Sequence, residues 1–374
     1  MSENEIIAWL QKVLAGETPA LPASNDQLIT DTLQLADWHG VTALIHYKLS
    51  EKLNLKEYHA GLNKQISDKN LQSIAISLLW KQEICKINQF LIDAKINLLF
   101  IKGFPLAYTL YPAPHLRIFS DVDILLPDFE TTQKAWHILE DMGYIRPKTI
   151  GGKYISHQFS CYRPDTSLLP RALDLHWRIN NHYYFANALT FDELESSSVP
   201  LTGFEPEMRT LSPEYALLFS CMHRIAHTPF GESNRLIWLY DIHLLAESFK
   251  REQWLCFTRL TTEKKLSSVC LDGLLNSKER FKTRLPENIL EILRRQGKND
   301  PVQVDDFTSA WKYHMKNYQT MPGWKERFCL LREYLLPPSE YMLAKYNRRN
   351  KLWLPVLHVM RLSGGLTKIF KNRS

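Results

Sequence analysis

Residues 96–126, INLLFIKGFPLAYTLYPAPHLRIFSDVDILL, decide the fold. Two apolar runs of strand length, INLLFI and VDILL, flank a segment, FPLAYTLY, whose spacing suits one short helix stopped by Pro112 and Pro114. Gly103 closes the first run and Pro127 the second. A mixed α/β unit therefore begins at Ile96. Beyond it, Asp128 is placed to cap a helix over residues 130–142 that Gly143 should end. YISHQFSCYRP and RALDLHWRI then read as two strands joined by the turn-rich PDTSLLP. The order is strand, helix, strand, helix, strand, strand.

On either side the apolar period lengthens to that of a helix. Upstream, ENEIIAWLQKVLA, then DQLITDTLQLADWHGVTALIHYKLSE, then residues 62–94 read as three helical stretches. From Ser212 onward the helical pattern returns in PEYALLFSCMHRIAH, RLIWLYDIHLLAESF, REQWLCFTRLTT and SVCLDGLLNSKERF, with more helix after Pro301. The expected class is α+β. A small mixed β-sheet core (96–205) lies between an N-terminal helical region (1–95) and a C-terminal one with a basic tail (206–374). No internal repeat or low-complexity stretch interrupts this plan.

With 374 residues, 45% of them hydrophobic and 23% charged, the chain can bury a core of more than one packed unit. No apolar run is long enough to span a bilayer, and Glu3 and Glu5 stand where a signal peptide needs cations and then apolar residues. Six scattered cysteines without a CxxC pair read as reduced, buried thiols, so the expected compartment is the cytoplasm. The net charge of +6 is concentrated: the segment after Glu340 holds eight Lys or Arg and no acid. That tail is either a solvated end or a contact for an anionic partner, through the phosphates of nucleic acid or lipid.

The chemistry concentrates at Asp121 and Asp123. Residues two apart on a strand share a face, so both carboxylates project together while Val122 points into the core. Two like charges so close cost stability unless a cation neutralises them, and hard oxygen donors at a strand end favour Mg2+ over zinc. A solvated strand end would carry the same two residues, so the surroundings matter. Lys102 and Gly103 close the preceding strand, where a glycine lets a phosphate approach the backbone and helix amides can face it. Arg117 and Ser120 add a cation and a hydroxyl just before the pair. Alternation in RALDLHWRI puts Asp174, His176 and Arg178 on one face and Leu173, Leu175 and Trp177 on the other.

Residues 98–127, LLFIKGFPLAYTLYPAPHLRIFSDVDILLP, with the distal ALDLHWRI, resemble the uncharacterised bacterial nucleotidyltransferase family of the DNA polymerase β-type nucleotidyltransferase superfamily. Looser support comes from Asp-Trp-His-Gly-Val around residue 39, from RLIWLYDIHLL and from LLPPSEYMLAKY. The resemblance maps the superfamily's glycine turn, strand-borne acid pair and third acid onto Gly103, Asp121, Asp123 and Asp174. It implies that Asp121 and Asp123 bridge two Mg2+ ions, with Mn2+ as a substitute, and that Asp174 completes one shell and takes the acceptor's proton. The substrate would be an NTP such as ATP, and the NMP would pass to a hydroxyl on a small molecule, peptide, protein or RNA. Lys102, Gly103, Arg117 and Ser120 would bind the nucleotide. One departure stands out: the superfamily's turn is usually Gly-Ser with a shorter spacing, whereas here Lys-Gly lies 18 positions before Asp121.

Other features divide between structural and functional readings. His176 either orients a carboxylate or simply packs, and His223, with His227 one turn on, either lines the cleft or joins helices. Arg224 stands where a zinc protease needs Glu, which rules that chemistry out. Asp241, inside an apolar helix, needs a partner, most simply in a buried ion pair between helices. Gly151–Gly152 is a turn or a substrate loop, and the aromatics suit packing better than base stacking. Against the enzyme stands a binding-only module that senses nucleotide or a partner on the same fold, and also an RNA-binding factor acting through the tail.

Overall fold

The computed structural model describes residues 2–19, 26–52, 60–148, 154–164, 171–232 and 234–361. Gly151–Gly152 and the PDTSLLP turn after Pro164 lie outside these residues, as does the tail after Arg361. The chain is mixed α+β, with one six-stranded sheet and helical regions at both ends. Helices α1 (Glu3–Leu14), α2 (Asp26–Trp38), α3 (Thr42–Lys52) and α4 (Ala60–Asp93) come first. Strand β1 (Leu99–Ile101), helix α5 (Gly103–Thr109), β2 (Asp121–Leu125), α6 (Phe129–Asp141), β3 (Gln158–Arg163) and β4 (Arg171–His176) follow in the order the sequence predicts. Short helices α7 (Tyr183–Ala188) and α8 (Phe191–Ser196) lead to β5 (Val199–Pro200) and β6 (Arg209–Thr210). Then come α9 (Pro213–Ala226), α10 (Leu236–Ser248), α11 (Arg251–Glu263), α12 (Ser267–Phe281), α13 (Glu287–Gly297), α14 (Ala310–Gln319), α15 (Trp324–Leu335) and α16 (Ser339–Lys345).

The sheet order is β3-β4-β2-β1-β6-β5. Strand β2 runs antiparallel to β1 and parallel to β4, in a register that sets Asp123 opposite Asp174 and Leu125 opposite His176. Alternation then sorts the side chains onto two faces. Leu98, Phe100, Val122, Ile124, Leu173 and Leu175 join a core with Trp80, Ile84 and Ile87 of α4 and Ala135 and Leu139 of α6. Leu99, Ile101 and Leu125 join the other core, built with α1, α3, α9, α10 and α12. Each fully buried Leu, Ile or Phe stabilises this arrangement by about 1.5–3 kcal/mol. By their parity with Leu125, Asp121 and Asp123 face the α9–α10 side, and the helices on that side supply the rest of the cleft.

Two sequence readings need correction. DQLITDTLQLADWHGVTALIHYKLSE is two helices rather than one, because Gly40 adopts φ +71° and turns the chain between α2 and α3. The turn has a job: the His39 Nδ1 accepts the Leu236 backbone N–H and the His39 carbonyl accepts the Ile237 N–H, so it satisfies the start of α10. Burial, with Arg235 and Arg280 nearby, pushes His39 down to about 4, which keeps the ring neutral and Nδ1 able to accept. A Cβ on Gly40 would meet Ile237 Cγ2 at 3.2 Å. Gly40→Ala is therefore expected to cost about 1–2 kcal/mol, read as a lower denaturation midpoint, and an unchanged midpoint would refute the account. The cysteines are also less uniform than expected. All are free, but Cys85 and Cys256 are exposed, while Cys161, Cys221 and Cys270 are buried.

Candidate functional site

Strand β1 ends by throwing Lys102 into φ +60°, ψ −135°, a conformation that lysine rarely adopts and that costs on the order of 1–3 kcal/mol. What holds it there is its head group. The Lys102 ammonium donates to Asp123 Oδ1 at 2.6 Å, and the His176 Nε2 lies 2.9 Å from the same oxygen. With Nε2 donating to the carboxylate, the buried His176 Nδ1 has no partner among the described residues. Burial alone would raise the Asp123 carboxyl, but the Lys102 charge and the His176 hydrogen bond outweigh it and hold Asp123 below its ordinary range. Burial likewise works against the Lys102 ammonium, and Asp123, with Asp174 and Asp121 behind it, overcomes this and raises it.

Asp174, on the neighbouring strand, accepts a hydrogen bond from Gln158 Nε2 at 2.7 Å. Asp121 has less support. It accepts a 3.2 Å hydrogen bond from Ser120 Oγ, and burial, then Asp123 and Asp174, push its carboxyl up to about 6. Three carboxylates thus converge against one ammonium. The ligand atoms of Asp123, Asp174 and His176 lie within 4.8 Å of one another. This set fits a divalent cation: its oxygen donors are hard, it carries excess negative charge, and an imidazole stands beside it. Asp121 lines the same cavity outside that tightest set.

Gly103 is needed for a reason other than phosphate approach. A Cβ there would meet Phe119 Cβ at 3.1 Å and Arg117 Nη1 at 3.2 Å, so the glycine lets the segment before β2 lie against the start of α5. Arg117 itself is committed. Its Nη2 and Nε hold the Asp241 carboxylate at 2.7 and 2.9 Å, its Nη1 donates to the Ile118 carbonyl, and Tyr111 donates to Asp241 at 2.7 Å. Asp241 of α10 therefore does sit in a buried ion pair, but with the loop before β2 rather than with another helix. The cation that the sequence offered to a phosphate is the clamp between that loop and the helical arm.

The site opens into a cavity of about 570 Å3 lined by Lys102, Asp121, Asp123, Asp174, His223 and Arg235, among others. His223 and His227 both reach it from α9, with Trp238 edge-on to the His223 ring at 4.6 Å between centroids. Burial, then the neighbouring His227 and Lys102, hold His223 well below its usual value, so it enters the cavity as a neutral ring. Sequence reasoning missed Arg235 and Gln158. The Arg235 Nε donates to the Trp38 carbonyl, and its guanidinium feels the Asp121 charge. Gln158 carried no signal of its own, since its place beside Asp174 follows from the β3–β4 register, which pairs Ser160, two residues on, with Asp174. Gln158 also lines a second, larger cleft of about 1490 Å3, floored by Phe159 and Trp177 and bordered by Arg146 and Arg178.

The model of a family described as "Uncharacterised nucleotidyltransferase" matches residues 25–282, which include every residue of the acidic cluster. No curated protein matches the chain. Among solved structures, the crystal structure of JHP933 from Helicobacter pylori is similar at 13% identity and a TM-score of 0.30, over 65% of this chain and 92% of that one. With more than half of its length matched, the chain belongs to the uncharacterised nucleotidyltransferase family.

Proposed function

We propose that the chain transfers a nucleoside monophosphate from an NTP to an acceptor hydroxyl, releasing pyrophosphate, with Asp121, Asp123 and Asp174 holding Mg2+. The observation that carries this reading is the convergence of three carboxylates from two adjacent parallel strands on one cavity, with too little positive charge of their own to balance them. When bound, the cation supplies Lewis-acid charge at the reacting phosphate. The protein's residues do the remainder. Lys102 and His176 fix the Asp123 carboxylate, and Gln158 fixes Asp174.

Asp174 takes the proton of the acceptor hydroxyl as its oxygen bonds to the α-phosphorus and the bond to the β-phosphate oxygen breaks. Ser120, Lys102 and the Gly103 turn border the nucleotide, and Arg235 and His223 meet it from the helical arm. Positioning and electrostatics carry the rate, so no covalent nucleophile is required. Residues 96–205 are the unit to which we assign this chemistry.

The test is pyrophosphate release with labelled NTPs and cell extract as the acceptor source, with and without Mg2+. Asp174→Asn is the cleaner probe of the buried pair, because Asp123→Asn would strip Lys102 of its partner. Loss of roughly a hundredfold to a thousandfold is expected for Asp174→Asn, and full activity in that variant would sink the assignment. The binding-only reading draws on one observation, that Lys102 already gives Asp123 a counter-charge. It predicts saturable NTP binding with no pyrophosphate release in any extract.

A further inference from the structure

Helix α15 presents an apolar stripe to solvent. Trp324, Phe328, Leu331 and Leu335 are 75%, 63%, 45% and 48% exposed. At 100° per residue these four positions fall within about 60° of arc. A helix of a globular protein normally turns such a stripe inward, and α15 does bury Leu330 on another face. Glu333, on the side away from the stripe, accepts the Tyr154 and Ile155 backbone N–H groups and fixes α15 against the chain leading into β3. The stripe thus faces outward on a helix anchored from behind.

A second stripe adjoins it. Leu352, in a short 3-10 turn, and Val356 and Val359, in the helical segment after Trp353, are exposed at four- and three-residue spacing while Leu357 is buried. Arg361 Nη1 donates to the Tyr334 carbonyl at 2.6 Å, which fastens this segment to α15. Trp311 and Met315, one turn apart on α14, are exposed as well. Charge identifies what such a surface meets. Between Trp311 and Arg361 the sequence carries ten Lys or Arg against three Glu and no Asp. Lys325 and Arg332 border the stripe on one side, both exposed.

We propose that this face is a docking surface for an anionic phospholipid membrane. Apolar side chains enter the acyl boundary, Trp324 and Trp353 occupy the interface, and the cations reach lipid phosphates with their stems along the apolar layer. No described helix is long and apolar enough to cross a membrane, so the attachment is peripheral. Nucleic acid fits less well, because Leu331, Leu335, Leu352, Val356 and Val359 offer neither a stacking plane nor a hydrogen bond. A protein partner would need a strongly acidic apolar groove, whereas an anionic bilayer supplies both properties at once. The inference is independent of the transfer chemistry, since no residue of the stripe belongs to the acidic cluster.

The experiment is co-sedimentation of the full chain with vesicles of phosphatidylcholine alone and of phosphatidylcholine containing about a third phosphatidylglycerol. Binding is expected to the anionic vesicles, weakened by salt. The Trp324→Glu/Phe328→Glu variant should lose at least about tenfold in partitioning, and Lys325→Glu/Arg332→Glu roughly fivefold per cation withdrawn. Both pairs are exposed, so their melting curves and pyrophosphate release should match the parent. Absence of vesicle binding, or equal binding by parent and variants, overturns the proposal. So does finding that the apolar variant instead abolishes self-association in sedimentation velocity, or binding to an RNA oligomer, since each would assign the face to another occupant.

Discussion

Replacing Asp121 by Asn is expected to cut pyrophosphate release severely and, in the same molecule, to raise the melting temperature of the metal-free protein. The two effects share one cause. Burial and the charges of Asp123 and Asp174 push the Asp121 carboxyl from 3.8 up to about 6, so at neutral pH the folded chain carries an anion it would rather protonate. A shift of this size corresponds to about 2–3 kcal/mol, discounted for the partial exposure of the side chain. Asn keeps the shape and removes the charge. The gain should appear as roughly 3 °C in melting temperature for a chain of this length, with transfer reduced by roughly a hundredfold to a thousandfold.

The pH dependence has a definite sign. A carboxyl whose folded pKa lies above its unfolded value makes the folded state bind more protons, so its contribution is fully present below about 3.8 and is lost as pH rises through about 6. Between those values the parent should lose stability with rising pH relative to Asp121→Asn, and the two curves should run parallel above pH 7. Parallel curves throughout, or a less stable Asn variant, would remove the case for a charge-strained site. Mg2+ should stabilise the parent more than the variant, which a thermal shift with and without the ion measures.

Asp241→Ala should be the most damaging substitution away from the acidic cluster. Arg117 and Asp241 are both almost fully buried, and Tyr111 donates to the same carboxylate. Removing the acid leaves a guanidinium and a phenol without their acceptor in a site that excludes water, at a cost of about 3–5 kcal/mol. That corresponds to roughly 5 °C in melting temperature. Activity should fall too, because Arg117 also holds the Ile118 carbonyl and packs on Gly103, and so sets the approach of the chain to Asp121. The double variant Arg117→Met/Asp241→Leu separates the two effects: it should recover most of the stability while transfer stays impaired. If Asp241→Ala melted with the parent, the clamp would not be structural.

How much of this was legible in the sequence follows from the range of each interaction. Period-two alternation is local, so Asp121 could be set on one face with Asp123, and Asp174 on one face with His176, and the Asp128 cap and the Gly103 turn were readable from neighbours. The Arg117–Asp241 pair spans 124 positions and is set by tertiary packing, so nothing beside either residue announced it. Nothing beside Arg235 announced its place in the cleft, because that place depends on the α2–α3 turn docking there. That turn was hidden inside what read as one amphipathic stretch, since a single glycine within helical spacing is tolerated as often as it breaks. Strands β5 and β6 have two residues each, too few for any period to register.

Gln158 opens the edge strand β3 and ties the two faces of the sheet together. Its amide holds Asp174, the residue lines both cavities, and the next residue, Phe159, turns to the opposite face of the sheet with Trp177. A change at this one position on an edge strand would therefore loosen Asp174 and reshape the rim of the larger cleft together, without touching an acidic residue.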